Sequence, residues 1–274
     1  MRSAAGHQQP AGVLSSLEQT FLGAANLALG GPVPWTPEPL DASCPRCGRS
    51  VGPGEVSPDD HRCPGCRPER VRWDRFVRLG EYDGPLRDAV LQTKYGRWRR
   101  QGHLLGCMLG TRLREVLDER GADPEATLLT PVPMPAMRRF RRGIDHALTI
   151  ARGASAESGV GLGRLLRRVD GPSQVSVAPS ARPANLRGKI RPRLRVPAYV
   201  KTVVLIDDVR TTGATADACC RVLRGEPPRG RGRKATAETP APVIIVAVAA
   251  AVSVDPGRRA FVSGSESVKT ASQA

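Results

Sequence analysis

Several features are scarce in this chain of 274 residues. Aromatic residues make up only 4% of it, while 29 Gly and 25 Pro form a fifth, so a modest core with substantial loops is expected. No apolar run reaches the roughly 18 to 20 residues of a transmembrane helix, and the longest, 243–254, is interrupted by Ser253. We predict one compact domain with small appendages and no membrane span.

The N-terminus lacks a dense apolar run followed by a small-residue cleavage site, so no secretion signal is predicted. The protein is therefore expected in the cytoplasm, where reducing conditions keep thiols free. Its seven cysteines do not predict a disulfide framework in that compartment.

Acidic residues are also scarce, with 26 Asp and Glu against 42 Lys and Arg. The resulting formal net charge of +16 and pI near 10.7 favour a polyanionic partner. Only five of the 42 bases are lysine, and the arginine-rich composition by itself does not identify the polyanion.

Four of the cysteines form two similar knuckles, Cys44-Pro-Arg-Cys47 and Cys63-Pro-Gly-Cys66, with fifteen residues between them. Each turn directs two thiolates to one point, and two such turns complete a tetrahedral all-sulfur zinc site. Four protein ligands leave no position for water, so the predicted zinc is structural. Unrelated free thiols and a redox pair are the competing interpretations. His61, beside the second knuckle, is a substitute ligand or a solvated loop residue.

Hydrophobic periodicity predicts an α/β fold. Apolar runs predict strands at 127–132, 203–206 and 243–250, with a charged strand at 71–80. Helices are predicted at 13–29, 86–94, 103–119, 145–156 and 214–223. Apolar strands separated by helices indicate a parallel sheet covered on both faces. The remaining Cys107, Cys219 and Cys220 fall in helical patterns, where buried unreactive thiols are expected.

The same patterns divide the chain into four parts. A helix and a Pro-rich linker occupy 1–40, the zinc ribbon 41–68 and the α/β domain 70–252. Within that domain 225–242 is a low-complexity insertion expected to be disordered, as is the Ser-rich tail 253–274. Zinc is expected to supply much of the ribbon's folding free energy, because so short a segment cannot build its own core.

The segment with the clearest chemical content is TVVLIDDVRTTGAT, residues 202–215. An apolar strand ends in two acids, and a loop rich in hydroxyl groups then opens into a helix. Ligands of open α/β sheets bind at the carboxyl ends of strands. Backbone N–H groups at the helix N-terminus and threonine hydroxyls form a cradle for phosphate, which Gly213 lets the backbone approach. The absence of a Walker lysine disfavours nucleoside triphosphate hydrolysis.

This segment resembles the phosphoribosyl diphosphate (PRPP) signature of type I phosphoribosyltransferases. The resemblance implies that Asp207 and Asp208 serve catalysis and hold the ribose hydroxyls, and that the following loop binds the 5′-phosphate. The PRPP-binding residues that it implies are Asp207, Asp208, Val209, Arg210, Thr211, Thr212, Gly213, Ala214 and Thr215. Arg210 departs from the signature, where an aliphatic or aromatic residue is usual.

The order of motifs over residues 40–250 is similar to that of the ComF family, in which a four-cysteine zinc segment precedes a type I phosphoribosyltransferase domain. After the cysteines come Tyr82-Asp-Gly-Pro-Leu86, Lys94-Tyr95-Gly96, Pro131-Val-Pro133, an arginine cluster, Gln174, Arg182 and Asn185. Where the family usually has an aromatic residue and then Asn-Gln, this chain has Ile144-Asp145-His146. His146 is expected on a helix surface.

The arginine cluster consists of Arg138, Arg139, Arg141 and Arg142 and follows a predicted strand. Its guanidinium groups suit either pyrophosphate or the backbone of single-stranded DNA, and an arginine-rich solvated turn is the third interpretation. In the fold that the resemblance implies, this position meets the diphosphate.

The resemblance implies two candidate functions. The first is an enzyme that transfers the phosphoribosyl group of PRPP, with Mg²⁺, to an acceptor that the sequence does not name. The second is a module without transferase activity that senses PRPP or a nucleotide, or handles single-stranded DNA through its basic surface and zinc ribbon. The family resemblance also implies a role in natural competence and DNA uptake, with competence proteins as partners.

Overall fold

The computed structural model describes residues 35–95, 99–135, 143–169, 188–226 and 241–252. The helix predicted at 13–29, the arginine cluster Arg138, Arg139, Arg141 and Arg142, most of the insertion at 225–242 and the tail at 253–274 lie outside these ranges, as do Gln174, Arg182 and Asn185. These predictions, and the division into domains, stay predictions.

Seven strands form two sheets in the described residues. They are β1 (Arg75–Glu81), β2 (Thr127–Pro131), β3 (Gly161–Leu162), β4 (Leu166–Arg168), β5 (Ile190–Pro192), β6 (Thr202–Arg210) and β7 (Val243–Ala251). Five of them make a parallel sheet in the order β1-β7-β6-β2-β3, and β4 pairs with β5 antiparallel. The predicted α/β class with a parallel sheet is confirmed.

The described residues contain four α-helices. They are α1 (Gly84–Tyr95), α2 (Arg99–Glu119), α3 (His146–Ser158) and α4 (Ala214–Leu223). The bounds of α4 are those predicted from the sequence, and the other three are longer than predicted at one end or both. No helix in the described part of the chain is both long and apolar enough to cross a membrane.

The central sheet is apolar on both faces because successive residues of a strand point to opposite sides. Val204 and Ile206 of β6 pack in one cluster with α1, α2 and α3. Val203 and Leu205 pack in a second cluster with α4 and the β4–β5 pair. The covered parallel sheet expected from the sequence is therefore present as three layers.

Helices α2 and α3 approach so closely that only glycine fits at their contact. A Cβ atom on Gly106 would overlap the carbonyl oxygen of Ile150, and a Cβ atom on Gly153 would overlap that of His103. Backbone therefore packs directly on backbone, and this contact fixes the helical layer above β2 and β6.

Residues 38–68, which include the four cysteines and are called the cysteine segment below, lie against β1, an edge strand of the sheet. The backbone N–H of Phe76 donates to the carbonyl of Pro45 at 2.7 Å, and that of Glu38 donates to the carbonyl of Leu79 at 2.7 Å. Arg78 of β1 is buried and donates to a Glu38 carboxylate oxygen at 2.7 Å. The outer side of β1 is thus covered by Pro45, inside the first cysteine knuckle, and by Glu38, which precedes it.

Candidate functional site

Strand β6 carries the predicted carboxylate pair, but within the strand instead of after it. Pairing with β7 continues past the acids until Arg210 lies opposite Ala251. The strand predicted at 203–206 is therefore too short, because the length of its neighbour decides where β6 ends. Asp207 and Asp208 are half-buried near the carboxyl end of a strand inside the sheet.

A lysine lies beside the two aspartates. Lys94, near the end of α1, has its Nζ 3.2 Å from Asp208 Oδ2 and 5.9 Å from the centroid of the Tyr82 ring. The backbone N–H of Asp208 donates to Asp207 Oδ1 at 2.9 Å. Burial, together with the charge of Asp208, raises the pKa of Asp207 to about 8. Asp207 is therefore largely protonated at neutral pH, and a cation bound there would release its proton.

The raised pKa predicts that Asp207→Asn stabilises the ligand-free protein. The unfolded carboxyl loses its proton near pH 3.8 and the folded one near pH 8, so the wild type loses stability as the pH rises through that window. The variant lacks this loss, and we expect its stability advantage to grow between pH 4 and pH 8 to several kcal/mol, at about 1.4 kcal/mol for each pKa unit, and then level off. Urea unfolding at several pH values measures it. Asp88→Asn, which removes an exposed carboxylate of α1, is the control, and an advantage that is independent of pH would contradict the assignment.

The loop after β6 presents hydroxyl groups and a helix N-terminus. Thr211 and Thr212 are exposed, and Gly213 is buried with φ +78° as the N-cap of α4. A glycine cap has no side-chain oxygen to accept the first helical N–H groups, so these suit the oxygens of an anion. Among the cap contacts, the N–H of Ala214 lies 3.4 Å from Thr212 Oγ1. A Cβ atom on Gly213 would lie 3.1 Å from Trp73 Cη2, so both space and backbone conformation favour glycine.

Arg210, the departure from the signature, is buried with 6% of its surface exposed. Its guanidinium carbon lies 5.6 Å from the centroid of the Phe76 ring, a cation–π contact. Burial lowers the pKa of this guanidinium, although arginine stays protonated. The side chain therefore packs behind the loop, and a part for Arg210 in ligand binding stays a prediction.

The residues that replace the usual amides begin α3. Asp145 is the N-cap, and its carboxylate accepts from the N–H of Leu148 at 3.2 Å. It also lies 3.9 Å from the guanidinium of Arg164. His146 is 1% exposed, so the prediction of a surface histidine is wrong. It lies one turn before buried Ile150 and shares the core-facing side of α3.

The four cysteines predicted to bind metal lie together. Their sulfur atoms all lie within 4.8 Å of one another, with Cys44 Sγ 3.8 Å from Cys66 Sγ and Cys47 Sγ 3.7 Å from Cys63 Sγ. A tetrahedral zinc with Zn–S bonds of about 2.3 Å would separate its sulfur ligands by about 3.8 Å, whereas a disulfide needs about 2.05 Å. The cluster is buried and could bind a structural metal, consistent with zinc. His61 is exposed and outside this group.

Two aromatic rings connect the cysteine segment with the loop. Trp73 Nε1 donates to the carbonyl of Arg46, between the first two cysteines, at 2.7 Å. Gly48, which follows them, packs directly on the Phe76 ring. The Trp73 and Phe76 ring centroids are 6.1 Å apart; Trp73 lies against Gly213, and Phe76 lies against the guanidinium of Arg210. The cysteine segment and the 207–215 segment therefore share one wall.

Ion pairs attach α4 to the same stretch of chain. Arg72 Nη1 lies 2.8 Å from a carboxylate oxygen of Asp217, in the first turn of α4. Arg224, at the other end of the helix, lies 2.7 Å from Asp74. The helix whose N-terminus forms the loop is thus held at both ends by residues that lie between the cysteine segment and β1.

Sequence reasoning missed the parts of the site that depend on tertiary contact. Lys94 entered only as part of a motif, and nothing in the sequence paired it with Asp208. Trp73 was part of a strand predicted from residue 71, whereas β1 begins at Arg75. Cys219 and Cys220 are fully buried as expected, whereas Cys107 is only partly buried.

The fold and the two sites define a class: an α/β protein with a parallel sheet, a carboxylate pair before a glycine-capped helix, and a four-cysteine cluster suited to a metal.

No model of a known protein family matches the chain. It is 26% identical over 184 residues to the DNA utilization protein YhgH of Salmonella typhi, covering 66% of this chain and 77% of the relative. It is 26% identical over 186 residues to Competence protein F of Haemophilus influenzae, covering 66% and 80%. YhgH of Escherichia coli K12 is 25% identical over 192 residues, covering 66% and 77%. These relatives support the resemblance to the ComF family.

Proposed function

We propose that the chain binds PRPP with Mg²⁺ at the 207–215 segment and uses it as a phosphoribosyl donor or as a sensed ligand. The observation that carries this proposal is the succession of the Asp207–Asp208 pair, two exposed threonines and a glycine-capped helix at one end of β6. Carboxylates suit the hydroxyls of a sugar, and helix N–H groups with hydroxyls suit a phosphate. One ligand that presents both groups a few ångströms apart is a ribose 5-phosphate.

The chemistry of the donor set fits Mg²⁺, a hard cation that prefers carboxylate and phosphate oxygens and retains several waters. Asp207 and Asp208 would hold the ion or the ribose, directly or through water. Lys94, which pairs with Asp208 in the ligand-free protein, would then pair with a negatively charged group of the ligand. Bound Mg²⁺ supplies positive charge that offsets a diphosphate leaving group. The ligand-free Lys94–Asp208 pair keeps the site neutralised until the ligand arrives.

For the cysteine cluster we infer zinc with a structural role. The sulfur spacing fits a tetrahedral ion, and a complete set of four thiolates has no open position for substrate or water. This zinc would also support the 207–215 segment, because the first cysteine turn contacts Trp73 and Phe76, and Trp73 lies against Gly213.

As an enzyme, the protein would work mainly by positioning. The carboxylates would orient the ribose, and the loop would fix the 5′-phosphate so that the reacting carbon faces the acceptor. We favour transferase activity over sensing and assign no acceptor. The names of the relatives, DNA utilization protein and Competence protein F, support a role in DNA uptake for either form.

A non-enzymatic module is the second candidate, and the net charge of +16 favours it. Such a protein would keep the ligand site as a sensor or leave it unused, and would handle single-stranded DNA through its basic surface, with competence proteins as further partners.

Thermal unfolding tests the PRPP site. We expect PRPP with Mg²⁺ at a hundredfold excess over Kd to stabilise the wild type by about 2.7 kcal/mol, or roughly 5–10 °C. The Asp207→Asn/Asp208→Asn variant should lose this response while remaining folded, because it cannot hold the sugar or the ion. Asp88→Asn/Asp118→Asn, which removes two exposed carboxylates, should respond like the wild type. An unchanged wild-type midpoint would rule out both the enzyme and the sensor.

Pyrophosphate release then separates the two forms of the proposal. Incubation of PRPP and Mg²⁺ with a panel of purine, pyrimidine and other amine acceptors should give release with at least one acceptor if the protein is a transferase. Stabilisation by PRPP without release across the panel would favour a sensor.

A further inference from the structure

A strongly basic surface lies on the β4–β5 hairpin and the segment that follows it. The described residues 161–169 and 188–201 contain eight bases and no acid. The eight are Arg164, Arg167, Arg168, Lys189, Arg191, Arg193, Arg195 and Lys201. We refer to the exposed side of these residues as the basic hairpin; it is distinct from the 207–215 segment and from the cysteine cluster.

The hairpin has one buried side and one charged side. Leu166 and Ile190 are buried in the core cluster that includes α4. Arg167 and Arg191 lie directly opposite each other across the strand pair, and both are exposed. Like charges in opposed positions destabilise a strand pair. In the described part of the chain neither arginine has a carboxylate partner, so no described acidic side chain offsets this repulsion.

Backbone contacts orient these guanidinium groups without neutralising them. Arg167 Nε donates to the carbonyl of Pro192 at 3.3 Å, and Arg191 Nε donates to that of Gly188 at 3.4 Å. Arg193 and Arg195 continue along the chain as exposed residues without a carboxylate partner in the described ranges. Four exposed cations, two of them oriented by backbone carbonyls, fit a partner with closely spaced negative charges.

Exposed apolar groups lie among these charges. The exposed large hydrophobic residues of the described ranges are Val169, Leu194 at 59% and Tyr199 at 63%, and all three belong to this region. Tyr199 lies in sequence between Arg195 and Lys201, and an exposed aromatic ring in a basic segment is a platform on which an unstacked base can lie. A duplex keeps its bases stacked inside the helix and cannot use such a platform.

We propose that the basic hairpin binds single-stranded DNA, with Arg167, Arg191, Arg193 and Arg195 on phosphates and Tyr199 stacked on a base. The choice of DNA over RNA rests on the DNA-uptake role proposed above. The surface itself is argued from charge and exposure, and does not depend on PRPP binding.

The first test is the salt dependence of binding by the full chain to a fluorescent oligo-dT of about 20 nucleotides, followed by anisotropy. Each phosphate contact on a single strand contributes about 0.7 to the slope of log K against log salt concentration. Changing the four arginines to Gln should therefore lower the slope by about 3 and weaken binding at least about tenfold at 100 mM salt. The control is Arg87→Gln/Arg114→Gln/Arg120→Gln/Arg152→Gln, which removes the same charge from exposed sites elsewhere. Equal losses in both variants would overturn the proposal.

The second test addresses stacking. Tyr199→Ala should weaken oligo-dT binding by roughly 5- to 100-fold with an unchanged salt slope, whereas Tyr199→Phe should bind like the wild type. Unaffected binding by Tyr199→Ala, equal affinity for a duplex, or tighter binding of an RNA oligonucleotide of matched length would contradict the assignment. The PRPP-induced thermal shift, measured on every variant, tests the proposed function separately. DNA binding can fail while the shift persists, and the shift can be absent while DNA still binds.

Discussion

Removal of zinc from the cysteine cluster is expected to destabilise the protein by about 3 kcal/mol or more, roughly 6–12 °C in the thermal midpoint. The reason is that the four sulfur atoms converge within 4.8 Å, so the free energy of binding one metal ion there contributes to the free energy of folding. Purified protein should contain one zinc per chain by elemental analysis, and a chelator or Cys47→Ser should remove it. PRPP stabilisation should weaken with zinc loss, because the Arg46 carbonyl no longer fixes Trp73 behind Gly213.

Cys107→Ser is the matched control for this experiment. That thiol is partly buried on α2 and outside the cluster, so the variant should keep its zinc and unfold within about 1 kcal/mol of the wild type. Protein that contains no zinc, or whose midpoint is insensitive to chelation, would contradict a structural metal.

Gly106→Ala should destabilise the protein by about 3 kcal/mol, although alanine normally improves a helix interior by about 1 kcal/mol over glycine. The added methyl group would overlap the carbonyl of Ile150, so the two helices must separate. Urea denaturation measures the change. Gly153→Ala should cost a similar amount, and the double variant should cost less than the sum, because one separation of the helices relieves both overlaps.

Gly161→Ala is the control for this substitution. Its Cβ atom would lie 3.5 Å from Leu128 Cδ1, an ordinary contact, and the unfolding free energy should change by less than about 1 kcal/mol. A neutral or stabilising Gly106→Ala would show that the packing of α2 on α3 tolerates a methyl group.

Local patterns predicted the parts of the fold that local physics decides. The apolar runs predicted β2, β6 and β7, and the stripe at 214–223 predicted α4 at both ends. The cysteine spacing predicted the cluster, because a C-x-x-C turn brings its two thiols together whatever the rest of the chain does. These features need no information about distant residues.

Features that depend on residues far apart in the sequence were not predicted. β6 extends through its acids because β7 is equally long. Strands β3, β4 and β5 have two or three residues each and no apolar run, so no periodicity marks them. His146 is the exception, since its spacing of four from Ile150 was a usable signal for burial. The Lys94–Asp208 pair and the Trp73–Gly213 contact join residues more than 100 positions apart, which no local pattern reports.

The covering of β1 by the cysteine segment also bears on how the protein avoids self-association. An uncovered edge strand presents unpaired N–H and carbonyl groups that can add a strand from another chain. Here the N–H of Phe76 and the carbonyl of Leu79 are already paired, with Pro45 and Glu38. If the knuckles open, that row of backbone groups becomes a template for a second molecule. Zinc starvation would then convert the protein into an aggregation-prone species before it fully unfolds.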